Sequence, residues 1–426
     1  MIELTPNTSL ALDGGGSATV IKELGRGGQG IVYLVNVNGA HKALKWYINP
    51  PNDNFYHNLQ YNIAHKAPSP AFLWPEQLTL KQRGSYGYIM GLRPQNYHEF
   101  GHFLINKVAF KSFSAVLSAA MKICEGFKML HLLGYSYQDL NDGNFFINPD
   151  TGDVLICDND NVMAHGDNSG IMGKARFMAP EVVAGKAPDK YSDRYSLALL
   201  LFMLFYFNHP LEGARVAACP CMTEAHEKRF YGSEALFIYD PHNKSNLPVP
   251  GLHNNVIKRW PRLPAILRDA FTQEFSHDCL TNPTKRRLEQ DWQRILSSVR
   301  DSLILCPHCS EESFINISSV SDACMECKRT IDLSKRLAIG SRLIPLVNKK
   351  HIFFNDDTPH ASVTSDANGF LLVVNNSSDT WVAETPSGKT KNVAPNDFFP
   401  VKPGIKLNIK VANDTYKAEV KSLSNN

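Results

Sequence analysis

Hydrophobic positions along the chain follow different periods in different regions, and these periods predict where strands and helices lie. Residues 19–47 alternate in the period of β-strands and contain a glycine cluster. Over residues 113–133 the apolar side chains recur at helical spacing, which predicts a buried amphipathic helix. Residues 191–208 are apolar nearly all round, as in a helix at the centre of a large domain. Further helices are predicted across residues 264–275 and 288–303.

From about residue 341 the helical period gives way to short β-branched and aromatic runs. Asn, Asp, Pro and Gly separate these runs, which is typical of consecutive strands. Two CxxC cysteine pairs lie between the two regimes. The pattern predicts a multidomain α+β chain with a mixed domain over residues 1–300, a cysteine module over 301–333 and an all-β sandwich over 334–426.

Charge and composition exclude several classes of protein. The 426 residues carry 44 Lys and Arg against 41 Asp and Glu, a net charge of +3 that gives no reason to expect nucleic-acid binding. The N-terminus shows no signal-peptide pattern, and the longest apolar stretch, residues 197–207, is too short to span a bilayer. Nine scattered or CxxC-paired cysteines favour metal ligation in a reducing compartment. We expect a cytoplasmic protein without nucleic-acid or membrane partners.

A glycine-rich segment near the N-terminus is a candidate phosphate-binding loop. Gly25, Gly27 and Gly30 form a GxGxxG pattern followed by Val32, and glycines let backbone amides approach phosphates closely. The pattern alone also marks dinucleotide folds and ordinary turns, but here it continues as a strand rather than a helix. Lys45 lies in the next apolar strand; the alternative for it is a solvated lysine at a strand edge.

Acidic and amide residues after the 113–133 helix form a candidate phosphoryl-transfer set. Asp139 and Asn144 lie five residues apart on one loop, and Asp158 ends an apolar strand. One carboxylate can accept a hydroxyl proton, while an amide oxygen and a second carboxylate hold Mg²⁺. The alternative for each residue alone is an ordinary turn-forming Asp or Asn.

Seven motifs occur in the order and rough spacing of the eukaryotic-type protein kinases. They are the glycine loop, Ala-Leu-Lys, Tyr-Gln-Asp-Leu-x-x-x-Asn, Asp-Asn-Asp, Met-Ala-Pro-Glu, Asp193 and Arg286. The motifs cover about residues 19–300. More narrowly, Trp74-Pro75, Asp139-Leu140-Asn141-x-x-Asn144, the aspartate-rich metal motif and His209-Pro210 are similar to a bacterial branch of these Ser/Thr kinases, whose members often occur with a metal-dependent protein phosphatase and a von Willebrand-type protein. The resemblance implies that Asp193 anchors the catalytic loop and that Arg286 pairs with Glu181.

The resemblance also implies an activity and a set of site residues. It implies a bilobal protein-kinase-like fold, with an N-lobe to about residue 91, and γ-phosphoryl transfer from ATP to a protein hydroxyl with Mg²⁺ or Mn²⁺. Asp139 would orient the hydroxyl and accept its proton. The gatekeeper would be Met90. The nucleotide and magnesium residues would be Gly25, Gly27, Gly30, Val32, Lys45, Met90, Leu92, Asn144 and Asp158, of which the last two would ligate Mg²⁺.

Two departures from the family concern charges around the phosphates. The expected helix beside Lys45, residues 53–65, contains no glutamate. Lys45 is therefore less well positioned unless Gln60, Asn58 or a residue elsewhere substitutes. Asn141 stands where the family has a lysine, so one cation that would stabilise γ-phosphate charge is missing.

Two more departures concern the activation loop and the metal motif. Gln138 replaces the arginine that clamps a phosphorylated loop, and Ser169 is the one hydroxyl residue between Asp158 and Glu181, so activation by loop phosphorylation is not expected. Asp160, at a family glycine, would stiffen the metal motif or offer Mg²⁺ another carboxylate. These losses leave open a nucleotide-binding pseudokinase scaffold or a small-molecule phosphotransferase.

The two CxxC pairs have the spacing of a zinc ribbon. Fourteen residues separate them, and two such knuckles place four thiolates around one tetrahedral ion. A redox pair is the alternative, but two paired knuckles argue against it. We expect one structural Zn²⁺ on Cys306, Cys309, Cys324 and Cys327.

The C-terminal strands faintly resemble a forkhead-associated domain. Such domains recognise phosphothreonine with an Arg and a Ser, to which Arg342 and Ser362 are partial matches. The sequence favours a degenerate structural sandwich over a phosphopeptide reader.

Overall fold

The computed structural model describes residues 3–167, 173–354 and 356–423. Contacts between residues divide the chain into two compact units. The first unit comprises Met1–Lys111, Lys122–Val249 and Glu274–Gln290. The second comprises Ser112–Met121, Pro250–Gln273 and Asp291–Asn426.

An antiparallel sheet and one helix form the N-terminal part of the first unit. The strands are β1 (Ser9–Ala11), β2 (Ser17–Arg26), β3 (Gly30–Val37), β4 (Ala40–Tyr47), β5 (Gln77–Leu78) and β6 (Gly87–Met90), in the order β1-β2-β3-β4-β6-β5. Helix α1 spans Asp53–His65 and begins with Asn52, whose side chain accepts from the backbone N of Phe55. One face of the sheet is an aliphatic core, and the other packs tyrosines against the apolar side of α1.

Helices dominate residues 100–302, and short strands before and between them position the loops of the site. The strands are β7 (His98–Glu99), β8 (Tyr135–Ser136), β9 (Phe145–Ile147), β10 (Val154–Ile156) and β11 (Met163–Ala164). The helices are α2 (Phe100–Leu104), α3 (Phe113–Leu132), α4 (Pro180–Val183), α5 (Lys190–Tyr206), α6 (Ala214–Ala217), α7 (Glu224–Glu227), α8 (Asn254–Arg259), α9 (Ala265–Glu274), α10 (His277–Thr281) and α11 (Glu289–Ser302). Helix α5 begins at a capping box on Asp189 and is buried along most of its length.

Two small hairpins follow α11 and carry the cysteine pairs. They are β12 (Leu303–Leu305) with β13 (Glu312–Phe314), and β14 (Ser321–Ala323) with β15 (Thr330–Asp332). Each CxxC turn closes with a backbone hydrogen bond back to its first cysteine, at 2.9 Å from Cys306 N to Glu311 O and from Cys324 N to Arg329 O. The hairpins share a small apolar core with the cysteines.

The last ninety residues form two antiparallel sheets around an apolar core that includes the fully buried Trp381. One sheet has the order β17-β16-β25-β24-β21-β22 and the other β18-β19-β20-β23. The strands are β16 (Lys335–Ile339), β17 (Arg342–Pro345), β18 (His351–Phe353), β19 (Pro359–Ser365), β20 (Leu371–Asn375), β21 (Trp381–Glu384), β22 (Thr390–Val393), β23 (Phe398–Pro400), β24 (Lys406–Val411) and β25 (Asp414–Ser422).

The predicted elements are present with small shifts at their ends. The helices expected over residues 113–133, 191–208, 264–275 and 288–303 correspond to α3, α5, α9 and α11. The α+β class and the all-β C-terminal region are confirmed. Among the helices of the described residues, none has the length and apolarity that a bilayer crossing needs.

Candidate active site

Lys45, on the inner face of β4, donates to two carboxylates that come from a loop more than a hundred residues away. Its Nζ contacts Asp158 Oδ1 and lies 2.8 Å from Asp160 Oδ2. Gln29, in the glycine loop, accepts from the same Nζ at 3.1 Å. Burial opposes the charge of Lys45, but the two aspartates outweigh it and raise the pKa of Lys45 above its usual value. The lysine is therefore a buried cation, not a solvated one at a strand edge.

Helix α1 does not supply the partner of Lys45. Asn58 and Asn62 each donate from Nδ2 to the carbonyl oxygen of Val162 at 2.9 Å, and Gln60 is exposed. The two amides tie α1 to the chain just beyond the aspartates. The sequence left open Gln60, Asn58 or a residue elsewhere as the partner of Lys45 in place of the missing glutamate. In the structure, the partner is a residue outside α1.

That residue is Asp160, which lies at the position of a family glycine. Its side chain is fully buried, and its Oδ2 also accepts from the Tyr47 hydroxyl. With Oδ2 occupied by Lys45 and Tyr47, Asp160 acts as the counter-ion of the lysine. The sequence carried a signal for this role, since an extra aspartate and a missing glutamate occur in one chain. Nothing in the sequence indicated that Gln29 would contact Lys45 or that Tyr47 would contact Asp160.

The catalytic loop places Asp139 in a network of amides. Asn141 Nδ2 donates to Asp139 Oδ1 at 3.2 Å, and Asn144 Nδ2 donates to the Asp139 carbonyl oxygen at 2.8 Å. Burial, together with the negative charge of Asp158, raises the pKa of Asp139 to about 6. A carboxyl group with this pKa is still ionised near neutral pH and can accept a proton.

Asn144 and Asp158 fit a magnesium ion. The backbone N of Cys157 donates to Asn144 O at 2.8 Å, which holds the two candidate ligands on adjacent chain segments. Asp158 keeps about a third of its side chain exposed, and the amide nitrogen of Asn144 is already used by Asp139 O, so the amide oxygen is the atom offered. Carboxylate and amide oxygens are the ligands that Mg²⁺ prefers. Burial and the neighbouring Asp160 raise the pKa of Asp158.

A buried aspartate anchors the catalytic loop, as the resemblance implied. Asp193 on α5 accepts from the backbone N of Tyr137 at 2.6 Å and of Gln138 at 3.0 Å. His131 Nε2 lies 3.2 Å from the same carboxylate, and its Nδ1 lies 2.8 Å from Glu289 Oε1. Although burial works against it, these two carboxylates raise the pKa of His131 to about 9, so the imidazole is charged at neutral pH.

Gln138 holds the start of the activation segment directly. Its Nε2 donates to the carbonyl oxygen of Asp167 at 2.7 Å and to Ser136 Oγ at 3.1 Å. The arginine that the family has at this position holds the activation segment through a phosphate group, whereas Gln138 holds it through a backbone carbonyl. Ser169 lies outside the described residues.

The end of the activation segment is fixed by the ion pair that the motifs indicated. Arg286, fully buried, donates from both terminal nitrogens to the two carboxylate oxygens of Glu181, each at 2.7 Å. A bidentate pair of this kind fixes orientation as well as distance.

The glycines of the loop and the residues expected to contact adenine differ in how closely they are packed. A Cβ on Gly30 would come within 2.4 Å of the carbonyl oxygen of Trp46, so this glycine is required by the approach of β4. Gly25 has open space around it, which leaves room for a ligand. Met90 is buried at the end of β6, and the partly buried Val32 and Leu92 pack against its cluster.

The four paired cysteines converge as the spacing predicted. Their Sγ atoms all lie within 4.8 Å of one another. Cys306 and Cys327 are 3.8 Å apart, and Cys309 and Cys324 are 3.7 Å apart. Four sulfurs at about 2.3 Å from a tetrahedral zinc lie about 3.8 Å from each other, whereas a disulfide needs about 2.05 Å. The cluster therefore fits one zinc ion.

Arg342, the partial match to the phosphothreonine-binding arginine of forkhead-associated domains, already has partners within the chain. Arg342 forms a two-pronged pair with Asp301, with both nitrogen–oxygen distances at 2.8 Å, and donates to the carbonyl oxygen of Phe353. Ser362 Oγ donates to Asn376 Oδ1 at 3.3 Å. This arrangement supports the structural role that the sequence favoured for the sandwich.

A model of the protein kinase domain matches residues 82–295, half of the chain, so the chain belongs to the protein kinase family. A probable Ser/Thr kinase, PknB of Corynebacterium glutamicum, is 30% identical over 98 residues, which are 21% of this chain and 15% of that protein. The Ser/Thr kinase AtPK1/AtPK6 of Arabidopsis thaliana is 26% identical over 205 residues, 46% of this chain and 43% of the relative. The chain thus matches less than half the length of either relative.

Among solved structures, the chain is similar to the PknI kinase domain of Mycobacterium tuberculosis. The similarity covers 70% of this chain and all of that one, at 19% identity and a TM-score of 0.46.

Proposed function

We propose that this protein is an ATP- and Mg²⁺-dependent kinase that phosphorylates serine or threonine in a protein substrate. The observation that carries the proposal is the convergence of Lys45, Asp139, Asn144 and Asp158: Lys45 contacts Asp158, Asn144 donates to the Asp139 backbone, and a backbone hydrogen bond joins the segments of Asn144 and Asp158. Lys45 is more than ninety residues away in the sequence from the other three, which lie within residues 139–158. Each has the chemistry that one component of phosphoryl transfer requires.

In this proposal each residue has a separate role in the transfer. Lys45 binds the α- and β-phosphates, for which it gives up its bond to Gln29, while Asp160 keeps the ammonium in place. Magnesium, held by Asn144 and Asp158, supplies charge neutralisation on the phosphates. Asp139 orients the acceptor hydroxyl and takes its proton as the oxygen–phosphorus bond forms and ADP leaves. Residues 173–181 belong to the segment that forms part of the peptide platform in this family, which favours a protein acceptor.

The test is phosphotransfer from labelled ATP by wild type and by Asp139→Asn. We expect the variant to lose about 10²- to 10⁴-fold in kcat with nucleotide affinity almost unchanged, because a general base acts in the transition state. The wild-type rate should fall as pH drops through about 6, because protonated Asp139 cannot accept the hydroxyl proton. Asp150→Asn, on an exposed turn, is the control and should keep both the rate and the acidic limb. Equal rates for Asp139→Asn and wild type would show that another group is the base.

A nucleotide-binding pseudokinase is the second candidate, and a specific observation favours it. Lys45 is held by two aspartates and Gln29, and Asn141 offers no positive charge beside Asp139. Wild-type protein that binds Mg-ATP but phosphorylates neither itself nor any protein would establish this reading.

The cellular context is also part of the proposal. The resemblance to the bacterial branch supports a role in bacterial signalling, with a metal-dependent phosphatase and a von Willebrand-type protein as partners. The cysteine cluster, which needs reduced thiols, supports a cytoplasmic location and one structural Zn²⁺.

A further inference from the structure

The loop around Asp139 contains a neutral residue, Asn141, at a position where a cation would stabilise the negative charge of the transferring phosphoryl group. Asn141 is almost fully buried, and its amide nitrogen donates to Asp139 Oδ1 at 3.2 Å. Its amide oxygen accepts from Gly143 N at 3.0 Å. Asn141 therefore holds Asp139 in place but brings no charge to the transferring phosphoryl group, whose three oxygens carry negative charge in the transition state.

A lysine from the activation segment lies against this asparagine. Lys174 Nζ is 3.3 Å from Asn141 Oδ1, on the side opposite the contact to Asp139. Its other close acceptor is Asp142 Oδ1 at 3.7 Å, and about 60% of its side chain is exposed. The ammonium group is thus held loosely enough to take a phosphate oxygen as a new partner.

The backbone next to Lys174 is packed against the proposed base. A Cβ on Gly173 would lie 3.0 Å from Asp139 Oδ1, so the backbone of Gly173 packs closely against the Asp139 carboxylate. Arg176, the next cation of the segment, is fully engaged with Glu212, with nitrogen–oxygen distances of 2.6 and 2.8 Å. Lys45 is committed to Asp158 and Asp160 on the other side of the site.

We propose that Lys174 is a catalytic residue that contacts the γ-phosphoryl group and stabilises its charge during transfer, in place of the cation that Asn141 does not provide. The proposal rests on the proposed kinase function. In the step, the bond between the γ-phosphorus and the bridging oxygen of ADP breaks, and a bond from the acceptor hydroxyl oxygen forms. The hydroxyl proton goes to Asp139. Lys174 keeps its own protons and acts through charge and hydrogen bonding.

The test compares Lys174→Met with Lys174→Arg and with the double variant Lys174→Met/Asn141→Lys. We expect Lys174→Met to lower kcat by about 10- to 10³-fold with little change in KM for ATP, since the contact strengthens in the transition state. Lys174→Arg should keep most of the rate. The double variant should regain at least tenfold over Lys174→Met, because the new lysine returns a cation to the same oxygens.

Lys186→Met is the matched control, because Lys186 is an exposed lysine a short distance further along the same region. It should leave kcat unchanged. Full activity of Lys174→Met, or no rescue by Asn141→Lys in a variant whose thermal unfolding matches wild type, overturns the assignment while the kinase function stands. Wild-type protein that transfers no phosphate overturns the proposed function, and the role of Lys174 with it.

Discussion

Asp160 determines how Lys45 is held. The helix next to β4 contains no glutamate, and the buried carboxylate that faces Lys45 comes instead from the loop that carries Asp158. One loop therefore provides both Asp158, the proposed magnesium ligand, and Asp160, the counter-ion of Lys45. The contact between Lys45 and Asp160 involves no atom of α1, although Asn58 and Asn62 of that helix hold the chain at Val162, two residues after Asp160.

The first test at this scale is replacement of Asp160 by the glycine that the family has there. Asp160→Gly removes one of the two carboxylates that pair with Lys45 and the acceptor of the Tyr47 hydroxyl. We expect it to lower the free energy of unfolding by about 1–3 kcal/mol, because a buried donor loses its partner and a buried ion pair is broken while Asp158 still balances the lysine. The affinity for Mg-ATP should fall as well. Denaturant unfolding and nucleotide titration measure the two effects.

The matched control is Asp160→Asn, which keeps an oxygen for Tyr47 and removes only the charge. Its loss of stability should be the smaller of the two. If Asp160→Gly unfolds at the same denaturant concentration as wild type and binds nucleotide equally well, the counter-ion role is wrong.

Single residues were predictable from sequence where a motif fixes both residue type and spacing. The pair of Arg286 with Glu181 is of this kind and is present. Of the partners of Lys45, Asp160 carried a signal in the sequence, whereas Gln29 was not predictable, because it reaches the lysine only through the folded glycine loop. Lys174 carried no signal either, since its position beside Asn141 depends on the path of the activation segment.

At the scale of elements, the activation segment is connected to the catalytic loop without a phosphate. Gln138 has a positive φ of 71°, a conformation that non-glycine residues seldom adopt, and its side chain reaches the backbone of Asp167. The surrounding structure holds this conformation through the two backbone bonds to Asp193.

We therefore expect kinase activity to be independent of loop phosphorylation. Ser169→Ala should keep near-normal activity, and phosphatase treatment of wild type should not change its rate. Gln138→Ala should lower activity by about tenfold or less, because one side-chain anchor of the segment is lost and a hydrogen bond contributes about 1 kcal/mol. Initial rates on one protein substrate compare the three proteins. A collapse of activity in Ser169→Ala would contradict this expectation.

Whole helices were easier to predict than their contacts. The α1 sequence predicted its bounds and its apolar side, because periodicity reports which face is buried. It did not reveal that Asn58 and Asn62 bind the same carbonyl oxygen of Val162, because polar partners are chosen by tertiary structure. The short β7, β8 and β11 strands also escaped prediction, since two-residue strands carry no period.

At the scale of the molecule, the cysteine hairpins are too small to be stable on their own core. About thirty residues bury a handful of apolar side chains, and domains below about 40 residues usually need a metal or disulfides. The candidate site residues Lys45, Asp139, Asn144 and Asp158 all precede the hairpins in the sequence. Metal binding should therefore decide the folding of the hairpins but not the chemistry.

Purified protein should contain one zinc per chain without added metal, as measured by elemental analysis. Cys306→Ser or Cys327→Ser should lose the zinc and make residues 303–333 sensitive to protease, because three thiolates do not close a structural site. Phosphotransfer by these variants should persist. Cys221→Ser is the control, since that cysteine is exposed and lies outside the cluster, and it should keep the full zinc content. Freshly prepared protein without zinc, or a disulfide between the clustered cysteines in reducing buffer, would exclude a metal as the element that folds the hairpins.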